Sequence, residues 1–183
     1  DECVETLIQT LPVCQVRGVA YSTFSLIHVN NEGKGFLYEF DNPQAIYYHK
    51  GKCIDFEREK LEIYEKLVYK SELNLEENDV IMVMSDGTIH AGIGQILNFG
   101  WERRQIMDYL DRNIKSTMSA RAVACILTSA CNDLYLDKPG DDTTVAAVKI
   151  RPRINVNIMV GPPVDKEKDN FYVEQFLDGA DKT

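Results

Sequence analysis

The chain reads as an α+β fold in which helices lie against a mostly antiparallel sheet. Three observations predict it. Short β-branched and aromatic runs separated by turn residues fill residues 19–84, two segments with apolar residues at helical spacing occupy residues 103–134, and one more apolar run closes at residue 150. Strands first, a helical hairpin next and a single closing strand last is the element order of a layered α+β domain.

Cys3, Val4, Leu7, Ile8 and Leu11 recur at 3.6-residue spacing up to Pro12, which predicts an opening helix. Residues 19–29 predict a strand, Asn30-Asn31-Glu32-Gly33 a hairpin turn and residues 35–40 the returning strand. Asp41-Asn42-Pro43 leads into a strand over residues 45–49, and Lys50-Gly51-Lys52 turns the chain again. Residues 61–69 are the next strand, less regular because charges interrupt it. Val80, Ile81, Met82, Val83 and Met84 form an unbroken apolar run between turn signals, the mark of a strand buried on both faces. Together these make a meander of about five strands. Ile106, Met107, Leu110 and Ile114 place a helix over residues 103–115. Ser119 is the expected N-cap of a second helix that carries Val123, Ile126, Leu127, Ala130 and Leu134 on one face. Lys138-Pro139-Gly140 ends it, and residues 143–150 form the last strand. Arg151-Pro152-Arg153 marks a boundary. Beyond it, residues 154–160 alternate like a short strand, Gly161-Pro162-Pro163 stops them, and residues 171–177 have room for one or two helical turns.

A chain of 183 residues is long enough for one domain with a sizeable core. Its formal net charge of −9 argues against a broad nucleic-acid surface, which needs a basic stripe, and against docking on anionic lipid. The five cysteines show no C-x-x-C spacing, so zinc ribbons and dithiol redox motifs are unsupported. Cys125, within an apolar helix face, reads as a small buried hydrophobe in a reducing cytosol. No run approaches the roughly 18 apolar residues of a membrane span. The expected location is the cytoplasm.

The chemistry is expected at two acidic turns. Ser85-Asp86-Gly87 follows the buried strand, and Gly140-Asp141-Asp142-Thr143-Thr144 enters the last one. If these strands are neighbours, Asp86 and Asp141 meet at one rim of the sheet. Carboxylate oxygens suit Mg²⁺ and Mn²⁺, which usually keep several waters. Such ions lower the pKa of a bound water and neutralise phosphate oxygens during in-line attack, most of what phosphoester hydrolysis asks of a protein. Asp142 is a further ligand or orients the loop through hydrogen bonds. Each turn has a plainer reading on its own, since Asp, Gly, Ser and Thr are ordinary turn residues. Their order around a helical hairpin is what points to one site. His90 is a candidate to face a phosphate or donate a proton, beside the plainer reading of an idle loop histidine. His28 and His49 fall in strands and read as structural. Arg103 and Arg104 read as solvated charge at a helix start, and Phe99 and Trp101 as anchors holding their loop to the core.

The stretch Leu75-x-x-x-Asp79-Val80-x-x-x-x-Ser85-Asp86-Gly87, two helices and then Asp141-Asp142-x-Thr144 resemble the metal-dependent protein serine/threonine phosphatases of the type 2C class. The likeness is to the bacterial branch typified by the stage II sporulation protein E phosphatase domain, and it spans residues 19–150. It implies a layered β-sandwich with flanking helices, incomplete at the N-terminus. It also implies Asp86 and Asp141 as catalytic metal ligands, Asp142 in the place of the Asn or Asp that follows, and Gly87, His90 and Thr144 beside the ligands or against substrate. The implied cofactor is Mn²⁺ or Mg²⁺, as a pair in the full-length protein, and the implied reaction is hydrolysis of phosphoserine or phosphothreonine by a metal-activated water. The implied substrate is a small phosphorylated regulatory protein of the anti-sigma-antagonist type. One departure stands out: the family's earlier Asp-Gly-x-Gly-x-Gly motif has no match before Asp86. The expectation is therefore that residues 1–151 are the C-terminal portion of a phosphatase domain, inactive as they stand, and that residues 152–183 begin a C-terminal extension. The alternative is a phosphatase-like binding or regulatory module without turnover. A calcium-binding loop of the EF-hand kind is absent from the sequence.

Overall fold

Among the described residues, seven strands, rather than five, precede the acidic turn at Asp86. The computed structural model describes residues 1–11, 22–136, 138 and 140–151. The chain divides into Asp1–Ile150 and Arg151–Thr183, and the first unit is the one described here. The expected features at residues 154–177 and the start of the first strand at residues 19–21 lie outside the described residues. Helix α1 (Glu2–Thr10) is followed by β1 (Phe24–Val29), β2 (Lys34–Phe40), β3 (Ile46–His49), β4 (Lys52–Ile54), β5 (Glu59–Ile63), β6 (Lys66–Asn74) and β7 (Val80–Met84). A single 3-10 turn (Asp86–Thr88), α2 (Arg103–Asn113), α3 (Ala120–Tyr135) and β8 (Val145–Lys149) complete the unit.

The single strand expected over residues 61–69 is two strands, because β5 and β6 form a hairpin with Ile63 opposite Lys66. Its turn residues Tyr64 and Glu65 both adopt left-handed φ, +49° and +62°. Tight hairpins need that conformation, but they usually recruit Gly, Asn or Asp for it. The sequence therefore carried no turn signal there.

Two four-stranded antiparallel sheets result, in the orders β1-β2-β6-β5 and β4-β3-β7-β8. Strand alternation builds four layers. On β2, Tyr38 and Phe40 turn outward to pack with Val4 and Ile8 of α1, while Leu37 turns inward to meet Ile81 of β7. On β7, Val80, Met82 and Met84 face α2 and α3, where Ile106, Leu110, Val123 and Leu127 are fully buried. The apolar run on β7 is thus buried on both faces, as its composition predicts. This unit is an α/β/β/α sandwich, with α1 on one outer face and α2 and α3 on the other.

Ser119 caps α3, its Oγ accepting the Ala122 amide at 3.2 Å. Cys125 departs from expectation and is exposed; Cys131 is the buried thiol of that helix. The buried stripe is Val123, Leu127 and Ala130, and position 125 stands about 200° around the helix from position 123. His49 has the expected structural role. Its Nδ1 lies 2.9 Å from Oδ1 of the buried Asp79, whose other oxygen accepts the Tyr47 hydroxyl at 2.5 Å and the Glu76 amide at 2.7 Å. This polar cluster fixes the start of β7, at the end opposite the acidic turn.

Candidate metal centre

Strands β7 and β8 pair directly, from Val80 opposite Lys149 to Met84 opposite Val145. The contact continues past the strand ends. The Ser85 amide donates to the Thr144 carbonyl at 3.0 Å, and the Thr144 amide returns a bond to Ser85 Oγ at 2.9 Å. The same hydroxyl donates to the Asp142 carbonyl at 3.0 Å. One serine side chain therefore ties the turn that leaves β7 to the turn that enters β8.

Gly87 lets the two turns close. A Cβ built on it would fall 2.4 Å from the Asp142 carbonyl oxygen, a backbone atom that cannot swing away. Only glycine permits that approach. From behind, the buried Tyr135 hydroxyl at the end of α3 donates to the Gly87 carbonyl at 2.7 Å. The 3-10 turn carries Asp86, and its carbonyl accepts the His90 amide at 3.0 Å, which sets His90 one turn further on.

Asp86, His90 and Asp141 consequently converge, each offering one ligand atom within 4.8 Å of the others. His90 Nδ1 lies 3.1 Å from Asp141 Oδ2, and Asp141 Oδ1 accepts the Asp142 amide at 2.8 Å. The bond from His90, then that amide, holds the Asp141 carboxyl below the usual carboxylate range. Both side chains remain over 40 % exposed, so the cluster opens to solvent. Asp142 contributes its carbonyl and amide to the scaffold, and Thr144 its amide and carbonyl. Ser85 and Tyr135 were not singled out from sequence. Ser85 sits inside the Ser-Asp-Gly turn, which is a signal of position; Tyr135 reaches the site only through helix packing.

Of three neighbouring residues, Arg103 and Phe99 differ from expectation and Trp101 does not. Arg103 is no solvated helix-start charge: its guanidinium pairs with Asp55 at 2.6 Å and donates to the carbonyls of Gln44 and Ala45, tying α2 to the entry of β3. Trp101 anchors its loop, buried and edge-on to Tyr109 with ring centroids 5.4 Å apart. Phe99 does not, being 87 % exposed.

The cluster suits a hard divalent ion. Two carboxylate oxygens and an imidazole nitrogen, open to solvent on one side, leave the remaining positions to water, the arrangement Mg²⁺ and Mn²⁺ favour; Mn²⁺ accepts the imidazole more readily.

No family model and no curated protein matches the sequence. Solved structures do match in fold. Superposition on the phosphatase domain of the cell fate determinant SpoIIE from Bacillus subtilis, in a crystal form without domain swapping, gives a TM-score of 0.65 at 16% identity over 90% of this chain and 71% of that one. The Mn-presoaked form of the same domain gives 0.62 at 16% identity, covering 90% and 70%. The RsbU and RsbW domains of a Mycobacterium tuberculosis protein give 0.53 at 16% identity, covering 99% of this chain and 49% of that one. The fold is that of the bacterial type 2C-like phosphatase domains. Within it, the chain is similar to the SpoIIE phosphatase domain over most of its length.

Proposed function

We propose that this chain belongs to a metal-dependent phosphoprotein phosphatase that hydrolyses phosphoserine or phosphothreonine in bacterial regulatory signalling. The carrying observation is the convergence of Asp86 and Asp141, far apart in sequence, with His90 at one solvent-open point. Asp86 and Asp141 would hold Mn²⁺ or Mg²⁺, in the full-length protein as one of a pair. The ion supplies an activated water and neutralises phosphate charge. Ser85 and Gly87 hold the two acidic turns in contact, so the carboxylates are placed before any ion arrives. His90, bonded through Nδ1, keeps its other ring nitrogen for a phosphate oxygen or a leaving group. Asp142, exposed beside the cluster, adds negative charge that favours a cation.

The substrate class is a phosphorylated regulatory protein. We propose neither nucleic-acid nor membrane contact by this segment: a net charge of −9 disfavours both polyanionic surfaces, and among the described residues no helix is long and apolar enough to cross a membrane. The location we propose is the cytoplasm, where the described cysteines, all free, would stay reduced. In domain terms, we propose that residues 1–151 belong to the phosphatase domain and that residues 152–183 lie outside it.

A second reading, a phosphatase-like module without turnover, is favoured by one observation: among the described residues the cluster offers three ligand groups, fewer than a two-metal site uses. Hydrolysis of p-nitrophenyl phosphate by the full-length protein separates the two. Phosphatase action requires Mn²⁺-dependent turnover that falls about 100-fold or more in Asp86→Asn, a loss typical of an impaired metal site. Equal rates in both proteins would remove the catalytic reading.

A further inference from the structure

We infer that the loop from Ile89 to Trp101 is a docking platform for a phosphorylated peptide segment carrying large apolar side chains next to its phosphoserine. The inference rests on the phosphatase reading of the adjoining cluster and adds a partner chemistry to it.

The loop is firmly built. The Trp101 amide closes it by donating to the Ile89 carbonyl at 2.8 Å, and the amides of Gln95, Ile96 and Leu97 all converge on the Gly92 carbonyl at 2.9–3.1 Å. Gly100 makes the closure possible: at φ +83° its missing Cβ would fall 2.2 Å from the Ile89 carbonyl oxygen. Buried Ala91 and Trp101 and half-buried Leu97 anchor the loop to the core. Gln95 also donates to the Lys138 carbonyl at 3.3 Å.

What this loop presents to solvent is apolar. Ile93 is 46 % exposed, Ile96 54 % and Phe99 87 %. The Ile93 side chain lies over Gly100, which follows Phe99, and the Ile93 backbone bridges Leu97, which follows Ile96, so all three exposed residues sit at this closure of one loop. No Asp, Glu, Lys or Arg occurs between Ile89 and Trp101, in a chain whose charged content is 27%. Loss of charge together with exposed aromatic and aliphatic side chains is the composition of an interface centre.

The occupant follows from position and size. Ile93 is bonded through its amide to the carbonyl of His90, a member of the metal cluster. Three residues span at most about 11 Å, so an extended peptide with its phosphate at the cluster reaches the Ile93 edge of the loop within about three or four positions. Each exposed side chain covers on the order of 100–200 Å². Three of them fall short of the roughly 800 Å² per partner of a stable protein interface. The patch suits a transient substrate segment better than a permanent second copy.

The test uses two fluorescein-labelled peptides carrying a non-hydrolysable phosphonate analogue of phosphoserine, one with Leu and Phe within three positions of it, the other with Ser and Gly there. Binding to the full-length protein is followed by fluorescence polarisation with Mn²⁺ present. The apolar peptide should bind about tenfold more tightly, and the Ile96→Ser/Phe99→Ser variant should cut that preference below twofold. Both positions are exposed, and a matching far-UV circular dichroism spectrum checks the fold. Equal binding of the two peptides (no binding of either included), or a preference that survives in the variant, overturns the platform. So does a Phe99-dependent dimer in sedimentation, which would assign the patch to a second copy. A peptide preference without Mn²⁺-dependent hydrolysis of the natural phosphoserine peptide would instead sink the phosphatase reading and leave the platform standing.

Discussion

Gly87 has no side chain because the Asp142 carbonyl occupies the place where one would begin, 2.4 Å from an ideal Cβ. That single steric fact governs how near the two acidic turns can come. In Gly87→Ala the backbones must separate, since the two nearest contacting atoms, the Asp142 carbonyl oxygen and carbon, are backbone, and Asp86 then moves away from Asp141. Mn²⁺ affinity measured by titration calorimetry should fall about 10- to 100-fold, the range seen when groups supporting a metal site are disturbed. An unchanged affinity would show that the turns meet for some other reason. Ser85 works beside it, spending its one hydroxyl proton on the Asp142 carbonyl and one lone pair on the Thr144 amide. Neither Ser85 nor Gly87 offers its side chain to the cluster, yet they decide whether the carboxylates meet.

Helix α3 shows how an element is specified from its ends. Ser119 at the N-cap satisfies the Ala122 amide, and the last residue of the helix, Tyr135, bonds to the Gly87 carbonyl. Ser119→Ala should lower the stability of the domain by about 1 kcal/mol in urea unfolding, with an unchanged m-value. A loss below a few tenths would mean the cap is already compensated by water. Strand β2 carries an electrostatic counterpart. Glu39 is buried on its inward side, with Oε1 accepting the Ala45 amide at 2.6 Å and Oε2 3.8 Å from Arg58. Burial raises its carboxyl pKa, against the opposing pull of the Ala45 amide and of Arg58 and Arg103. A raised carboxyl stabilises the fold fully below its unfolded-state value, near 4.5, and that contribution fades as pH climbs through the folded value. Glu39→Gln keeps the acceptor for Ala45 and abolishes the ionisation. Relative to wild type it should be more stable at pH 7 than at pH 4 in paired urea titrations; a difference that is flat with pH would rule the ionisation out as a cost.

At the scale of the whole first unit, a four-layer sandwich with two outer helix layers puts the acidic turns at one rim of a sheet whose strand β7 is buried on both faces. A rigid base follows from this, because β7 is held by Asp79 at one end and by Ser85 at the other. The same architecture leaves the loop between Ile89 and Trp101 free to vary its solvent-facing residues while Trp101 and Leu97 keep it in place. Chemistry and recognition thus sit side by side on one connection between β7 and α2. The expected loss of activity in Asp86→Asn and the expected loss of peptide preference in Ile96→Ser/Phe99→Ser test these two halves separately.

Sequence alone determined what depends on nearest neighbours and on period. The apolar run of β7, the spacing in α2 and α3 and the Ser119 cap are local patterns, and all three were legible. The two acidic turns were legible as candidates only as a pair, through their order around a helical hairpin, since each alone is an ordinary turn. Tertiary structure decided the rest. The Tyr64-Glu65 turn lacks the usual residues and is imposed by the pairing of β5 with β6. Arg103 found backbone carbonyls that only packing brings near, and Phe99 was left in water while Trp101 took the space beneath. The meeting of Asp86 with Asp141 was decided there too, since residues distant in sequence are joined only when β7 and β8 become neighbours, and strand pairing is a property of the folded sheet.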